Sequence, residues 1–246
     1  MTLVEILRPS CALFLDFDGT MVDLAPHPNA VHVPQPLIAA LRTVQDYLQG
    51  AVAVISGRPI EQLDCFLHPL QLAAAGVHGA ERRGADGVVH LLNTHPLDEV
   101  VEVACTLAAQ HPGLLVESKR GSLALHYRQR PELEELCLRA MQDAVNASPG
   151  LTLLRGKMVA EAKPGGASKG RAIEDFLGEP PFTGRTPVFI GDDITDEVGF
   201  STVQRLGGLG IKVGEGASVA WRRLADPAAL RKELEEALAA RTMRTA

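Results

Sequence analysis

Three short apolar runs, at 12–15, 51–55 and 188–190, each stop at a polar group: Asp16, Ser56 and the pair Gly191-Asp192. Unbroken apolar runs of this length, without alternation, read as strands covered on both faces of a parallel sheet. Weaker runs at 72–75 and 210–213 add candidate strands. Helical spacing fills the intervals. Leu37, Leu41, Val44 and Leu48 recur at three and four within 36–49, and Leu230, Leu234 and Leu238 make one stripe within 228–240. Ser168 reads as the N-cap of a helix ending near Gly178. Strands alternating with helices predict an α/β fold built on a doubly wound parallel sheet.

The span 81–159 breaks that rhythm. A turn at 84–87 precedes a strand at 88–92, and 97–110 reads as a helix. Runs at 114–117 and 123–127 flank Arg120-Gly121 as a hairpin, and 152–154 pairs with 158–160 around Gly156. Between the hairpins, 132–145 is helical, with Leu133, Leu136, Cys137, Ala140, Met141 and Ala144 on its apolar face. These elements predict a smaller α+β domain at 81–159, inserted in a core formed by 1–80 and 160–246.

The chain of 246 residues is 46% hydrophobic and 22% charged, enough to bury a sizeable core. Its formal net charge is −6 and it has no basic block, which argues against nucleic acid as a partner. Cys11, Cys65, Cys105 and Cys137 are widely spaced, so a disulfide framework or zinc knuckle is not expected. The N-terminus lacks the pattern of a signal peptide and no apolar run is long enough to span a bilayer. The expectation is a cytoplasmic protein without membrane contact. A monomer suits the chain, although the sequence does not fix its oligomeric state.

Four signals carry chemistry. The first is Asp16-Phe17-Asp18-Gly19-Thr20, directly after a buried strand, where doubly wound sheets place their ligands. Two carboxylates so close either repel or share a cation, and Gly19 permits a sharp turn and close approach of backbone to a ligand. A plain polar strand end is the structural alternative. The second is Gly191-Asp192-Asp193-Ile194-Thr195-Asp196-Glu197, with four acids in six positions, an oxygen-rich set fitted to a hard cation such as Mg²⁺. Acids at a helix start would explain one or two of them. The third, Ser56-Gly57-Arg58-Pro59, reads as a helix start whose backbone N–H groups can receive an anion. The fourth, Lys163-Pro164-Gly165-Gly166-Ala167-Ser168-Lys169, leads into a helix with Lys169 in its first turn. A cation there opposes the helix dipole, so it points either to an anionic partner or to an exposed surface lysine.

In their combination and order these motifs resemble the haloacid-dehalogenase-like (HAD) phosphatases, over essentially the whole chain. Within that superfamily the strings Ile55-Ser56-Gly57-Arg58, Gly76-Val77-His78-Gly79-Ala80-Glu81, Leu125-His126-Tyr127-Arg128 and Gly191–Glu197 resemble the trehalose-6-phosphate phosphatases. The resemblance implies a HAD-like core in which the inserted α+β domain is a mobile cap. It also implies hydrolysis of trehalose 6-phosphate to trehalose and phosphate, the last step of trehalose biosynthesis.

The implied roles follow the motifs. Asp16 is the nucleophile that becomes an aspartyl-phosphate, and Asp18 protonates the leaving oxygen and then activates water. Mg²⁺ is held by Asp16, the backbone carbonyl of Asp18, and Asp192. Ser56 and Lys169 bind the transferring phosphoryl group. Gly19, Gly57 and Arg58 line the substrate, and Asp193 and Asp196 support the site from behind. Glu117, Lys119 and Glu161 match positions that contact the sugar, with Lys163 adding positive charge nearby. On the residues alone, the favoured reading is a solvated pair, Glu117 and Lys119, on one face of an exposed strand, with Glu161 a linker acid. Two alternatives remain open at this level: a HAD phosphatase for another sugar phosphate (sucrose phosphate or a mannosyl phosphoglycerate), and a non-catalytic phospho-acceptor module.

Overall fold

The computed structural model describes residues 2–25, 27, 30–91, 96–119 and 121–242, apart from the side chains of 119 and 237–242. Two compact units are present: Met1–His90 with Ser168–Ala246, and Leu91–Ala167. In chain order the elements are α1 (Leu3–Ile6), β1 (Cys11–Leu15), α2 (Gln35–Tyr47), β2 (Val52–Ile55), α3 (Ile60–Leu67), β3 (Ala73–Gly76), β4 (Glu81–Arg83), β5 (Val89–Leu91), α4 (Asp98–Gln110), β6 (Leu115–Lys119), β7 (Ser122–His126) and α5 (Glu134–Ala147). They continue with β8 (Leu151–Gly156), β9 (Val159–Pro164), α6 (Lys169–Leu177), β10 (Thr186–Gly191), α7 (Glu197–Arg205), β11 (Leu209–Val213), β12 (Arg222–Leu224) and α8 (Pro227–Thr242).

The larger unit is built on a sheet of order β12-β11-β10-β1-β2-β3-β4-β5. Its strands run parallel from β12 to β3, and β4 returns antiparallel to β3. Every residue of β1, β2 and β3 is buried, as unbroken apolar runs demand when both sheet faces are covered. From β1 the chain steps through α2 to β2 in one direction, and from β10 through α7 to β11 in the other. Right-handed crossovers therefore set α2 and α7 on opposite faces, and the reversal between β1 and β10 makes the switch point. Phe14 of β1 stacks on Phe182 at 5.6 Å, and Phe176 of α6 meets Phe182 at 5.1 Å, locking α6 to the sheet. Aromatic pairs of this kind add about 0.5–1.5 kcal/mol beyond the area they bury.

The smaller unit has a four-stranded antiparallel sheet of order β6-β7-β9-β8. Leu123, Leu125, Ala160 and Ala162 share a core with Val100, Ala104, Cys137, Met141 and Ala144 of α4 and α5. Side chains alternate across a strand, so the residues between them turn to the opposite face. Glu117, Ala124 and Glu161 stand in register across β6, β7 and β9, in one row on that second face.

Three features differ from the sequence expectation. The hairpin of β4 and β5 extends the large sheet, so the smaller unit starts at Leu91 rather than 81 and ends at Ala167 rather than 159. The later end follows from β9, which pairs with β7 and β8 in the smaller sheet, and Glu81 and Arg83 explain the later start. Glu81 is buried, accepting the Ile60 N–H at 2.5 Å, and Arg83 forks onto Asp64 at 2.6 and 2.7 Å, which ties β4 to α3. The short edge strand β12 and the four-residue α1 carry little periodicity and were not legible. Of the remaining expectations, Leu92 and Arg120 lie outside the described residues, as does the side chain of Leu238. Leu230 and Leu234 are fully buried.

Candidate active site

Asp16 follows β1 directly, and its N–H bonds to the carbonyl of Ile190 at 2.9 Å, so it stands at the switch point between β1 and β10. Its side chain is buried. Lys169, at the first position of α6, reaches back to donate to Asp16 Oδ1 and to Asp196 Oδ1, both at 2.6 Å. The helix start that aims it is capped by Ser168, whose Oγ accepts the Arg171 N–H at 3.1 Å.

Asp196 is fully buried and built into the loop that carries it. Its Oδ2 accepts the N–H groups of Asp192 at 3.0 Å and Asp193 at 2.9 Å, while Oδ1 holds Lys169. Asp193 caps the short turn that follows, accepting the Ile194 N–H at 2.6 Å. Asp192 receives the Thr20 hydroxyl at 2.9 Å. Gly19 lies at φ +78°, and a Cβ there would fall 2.2 Å from Asp192 Oδ2. Its N–H is taken by the Val22 carbonyl at 2.8 Å, so what Gly19 supplies is room for Asp192.

Ser56 and Arg58 occupy the turn after β2. Ser56 Oγ accepts the Arg58 N–H at 3.1 Å. Val77 and His78 hold the same turn from the next strand end, donating their N–H groups to the carbonyls of Arg58 and Ser56 at 3.1 and 2.9 Å. Both adopt positive φ, 50° and 54°, a conformation that strains a β-branched valine. Gly57 sits under the His78 ring, where a Cβ would come within 2.7 Å of Nε2. Arg58 was expected to face the substrate. Here its guanidinium forks onto Asp18, with Nε 2.5 Å from Oδ2 and Nη2 2.7 Å from Oδ1.

The electrostatics are those of excess negative charge. Burial pushes the Asp16 carboxyl well up, Asp196 and Asp192 push it further, and Lys169 opposes them. Asp192 is pushed up to about 6, first by burial and then by Asp196. Burial alone would lower Lys169, but the Asp16 and Asp196 carboxylates outweigh it and hold the ammonium charged. Carboxylate oxygens of Asp16, Asp192 and Asp196 lie within 4.8 Å of one another. One ammonium does not neutralise three carboxylates, and an all-oxygen set fits a hard divalent cation. With Asp196 committed to Lys169 and two backbone N–H groups, Asp16 and Asp192 are the carboxylates left to receive it.

The structure thus gathers Asp16, Asp18, Gly19, Lys169, Asp192, Asp193 and Asp196, with Arg58 bringing the Ser56 turn alongside. Glu117, Lys119, Glu161 and Lys163 belong to the smaller unit. There Glu117 pairs with His126 Nε2 at 2.9 Å, and Glu161 accepts the Ser122 hydroxyl at 2.9 Å. Lys163 donates to the Ala167 carbonyl, and the side chain of Lys119 lies outside the described residues. The sequence reading named Thr20 within its motif without giving it a role, and it missed Lys212. Lys212 is buried in β11 and donates to the backbone carbonyl of Asp192. A lysine interrupting the apolar run Leu209–Val213 was the available signal.

The family model described as trehalose-phosphatase matches residues 14–232. The chain is 46% identical over 222 residues to the trehalose-6-phosphate phosphatase of Escherichia coli (strain K12), covering 89% of this chain and 83% of that protein. Among solved structures, a trehalose-6-phosphate phosphatase related protein superposes with a TM-score of 0.76 at 25% identity, covering 95% of this chain and 99% of that one. A phosphatase of the haloalkanoate (HAD) enzyme superfamily from Bacteroides thetaiotaomicron shares the fold, with a TM-score of 0.61 at 17% identity over 94% of this chain and 95% of that one.

Proposed function

The chain belongs to the trehalose-phosphatase family, and on that premise we propose that it hydrolyses trehalose 6-phosphate to trehalose and phosphate by way of a phosphoryl group carried on Asp16. The observation that carries this reading is the buried array at the switch point, in which Lys169 bridges Asp16 and Asp196 beside Asp192. A carboxylate held by an ammonium at a strand end is a fixed nucleophile whose charge is neutralised from one side only.

In the first step an Asp16 oxygen attacks phosphorus in line and the bond from phosphorus to the sugar oxygen breaks. Asp18 supplies the proton that the leaving alcohol needs. In the second step water attacks the phosphoaspartate, its proton passes to Asp18, and phosphate leaves with Asp16 restored. Lys169 and the Ser56 hydroxyl stabilise the equatorial oxygens of the transferring group. The cation proposed is Mg²⁺, which Asp16, Asp192 and the backbone carbonyl of Asp18 would hold. When bound, it supplies the positive charge that lets an anionic nucleophile approach an anionic phosphate.

The smaller unit is the cap. Glu117 and Glu161 recognise the sugar hydroxyls from the polar face of its sheet, Lys119 is assigned the same task, and Lys163 adds charge. Pairing of Glu117 with His126, and of Glu161 with Ser122, fixes acceptors for those hydroxyls. We place the enzyme in the cytoplasm, and a monomer suits the chain. Cys11, Cys65, Cys105 and Cys137 are free thiols, and no helix among the described residues is long and apolar enough to cross a membrane.

The test is phosphate release from trehalose 6-phosphate beside a panel of other sugar phosphates, with and without Mg²⁺. Mg²⁺-dependent release confined to trehalose 6-phosphate, and lost in Asp16→Asn, is expected. Preference for sucrose phosphate or a mannosyl phosphoglycerate would keep the core chemistry and overturn the reading of the cap. A stable phosphoprotein without turnover would return the chain to a phospho-acceptor role.

A further inference from the structure

We propose that Arg58 is a positioning residue that acts through Asp18 rather than on the substrate; the proposal rests on the reading of Asp18 as the proton donor to the leaving sugar oxygen. Arg58 is buried, and its guanidinium donates through three different nitrogens within the larger unit. Nε and Nη2 grip the two oxygens of Asp18 at 2.5 and 2.7 Å, and Nη1 donates to Gln62 Oε1 at 3.2 Å. The guanidinium also lies over two rings, 5.7 Å from the centroid of Phe17 and 5.0 Å from that of Phe66. The fork that would recognise a phosphate is therefore filled by Asp18.

This arrangement answers a geometric need. Asp18 follows β1 by only a few residues, in a turn whose backbone is held by hydrogen bonds, but its side chain is 29% exposed. A carboxyl on such a turn has many orientations, and proton delivery requires one of them. A bidentate grip on both oxygens fixes the plane of the carboxyl. The grip is itself anchored. Arg58 is fixed in its turn by the strained Val77–His78 segment through the Arg58 and Ser56 carbonyls, and its plane is set by the aromatic rings. Strain in a valine backbone persists only where surrounding contacts over-determine it, and here those contacts lead to Arg58. During turnover Arg58 exchanges nothing. Each Asp18 oxygen keeps a lone pair outside the fork, and the proton carried there passes to the leaving oxygen as its bond to phosphorus breaks, while the phosphoryl group goes to Asp16.

The experiment compares two substrates on the same preparations, so that any unfolded fraction cancels in the ratio. Trehalose 6-phosphate has a leaving alcohol that needs a proton, and p-nitrophenyl phosphate has a leaving group that does not. Asp18→Asn, Arg58→Gln, Arg58→Lys and the double variant Asp18→Asn/Arg58→Gln are measured for kcat, KM and single-turnover release of the leaving group, with Tm recorded for each. Arg58→Gln is expected to lower kcat for trehalose 6-phosphate by about a hundred-fold, with KM for that substrate and the single-turnover release of p-nitrophenol nearly unchanged. Arg58→Lys keeps the charge but loses the fork, so it is expected to restore little. In the Asp18→Asn background, Arg58→Gln should lower kcat by no further than about threefold, because both changes remove one device. A raised KM as the main effect of Arg58→Gln, or its full loss repeated in the Asp18→Asn background, overturns the proposal. Failure of the underlying reading looks different: Asp18→Asn would then slow single-turnover release of both leaving groups alike, while the double variant still decides whether Arg58 works through Asp18.

Discussion

The two units place polar side chains by opposite means. In the larger one, β1, β2 and β3 are buried at every position, so no sheet face is available and the polar residues collect where strands stop. In the smaller one, only the face bearing Leu123, Leu125, Ala160 and Ala162 packs on helices, and Glu117 and Glu161 stand in a row on the other. A doubly covered parallel sheet gives a point-like site of tightly spaced groups. A sheet with one helix-covered face gives a surface of spaced acceptors. Chemistry at one phosphorus suits the first, and recognition of many hydroxyls suits the second.

The contrast is sharpest in what single substitutions should do. Asp16→Asn removes the attacking oxygen and should lower phosphate release by more than about a thousand-fold, with KM little changed; a variant retaining a tenth of the activity would break the assignment. Lys169→Ala leaves Asp16 and Asp196 facing each other in a buried site, and removal of one partner from such a set costs about 3–5 kcal/mol. Chemical denaturation should show that loss near neutral pH, and acid should soften it. Glu161→Gln, in the other unit, should act on recognition. Its kcat/KM for trehalose 6-phosphate should fall by about ten- to a hundred-fold, with hydrolysis of p-nitrophenyl phosphate preserved. Equal effects on both substrates would erase the distinction between the units.

A pH dependence separates the units as well. The Asp16 and Asp192 carboxyls titrate above their usual range, Asp192 at about 6. An acid whose folded pKa exceeds its unfolded value costs stability once the pH passes the unfolded value, so the metal-free protein should lose stability from about pH 4 up through about pH 6. A divalent cation removes that repulsion. The rise in Tm on adding Mg²⁺ should therefore be larger at pH 7.5 than at pH 5, and Asp192→Asn should flatten the difference. Ser168→Ala should have the smallest effect, about 1 kcal/mol, through loss of the cap that starts α6 beneath Lys169.

The phosphate-side motifs were legible because each is local. Asp16 through Thr20 and Gly191 through Glu197 follow apolar runs directly, and a chain that ends a buried strand must bring the next residues to the sheet edge. The same locality made α2, α4, α5 and α6 readable from spacing and capping. What escaped the sequence depends on partners far along the chain. The grip of Arg58 on Asp18 spans forty positions, and Lys212 reaches its carbonyl twenty positions away. Nothing in Ser56-Gly57-Arg58 distinguishes an arginine that meets a phosphate from one that holds a carboxylate. Glu81 misled for the same reason. It begins a hairpin that reads as the start of the insertion, but its carboxylate and the fork of Arg83 tie that hairpin to α3.

By itself, then, the sequence determined which residues end buried strands and therefore which can share one sheet edge, because burial periodicity and strand ends are properties of short segments. The tertiary structure alone decided how their charges are divided: Lys169 between Asp16 and Asp196, Arg58 on Asp18, Thr20 on Asp192. Each pairing depends on distances of a few ångström between segments brought together only by the crossovers of the sheet, and electrostatic preference at that range is fixed by geometry rather than by residue type.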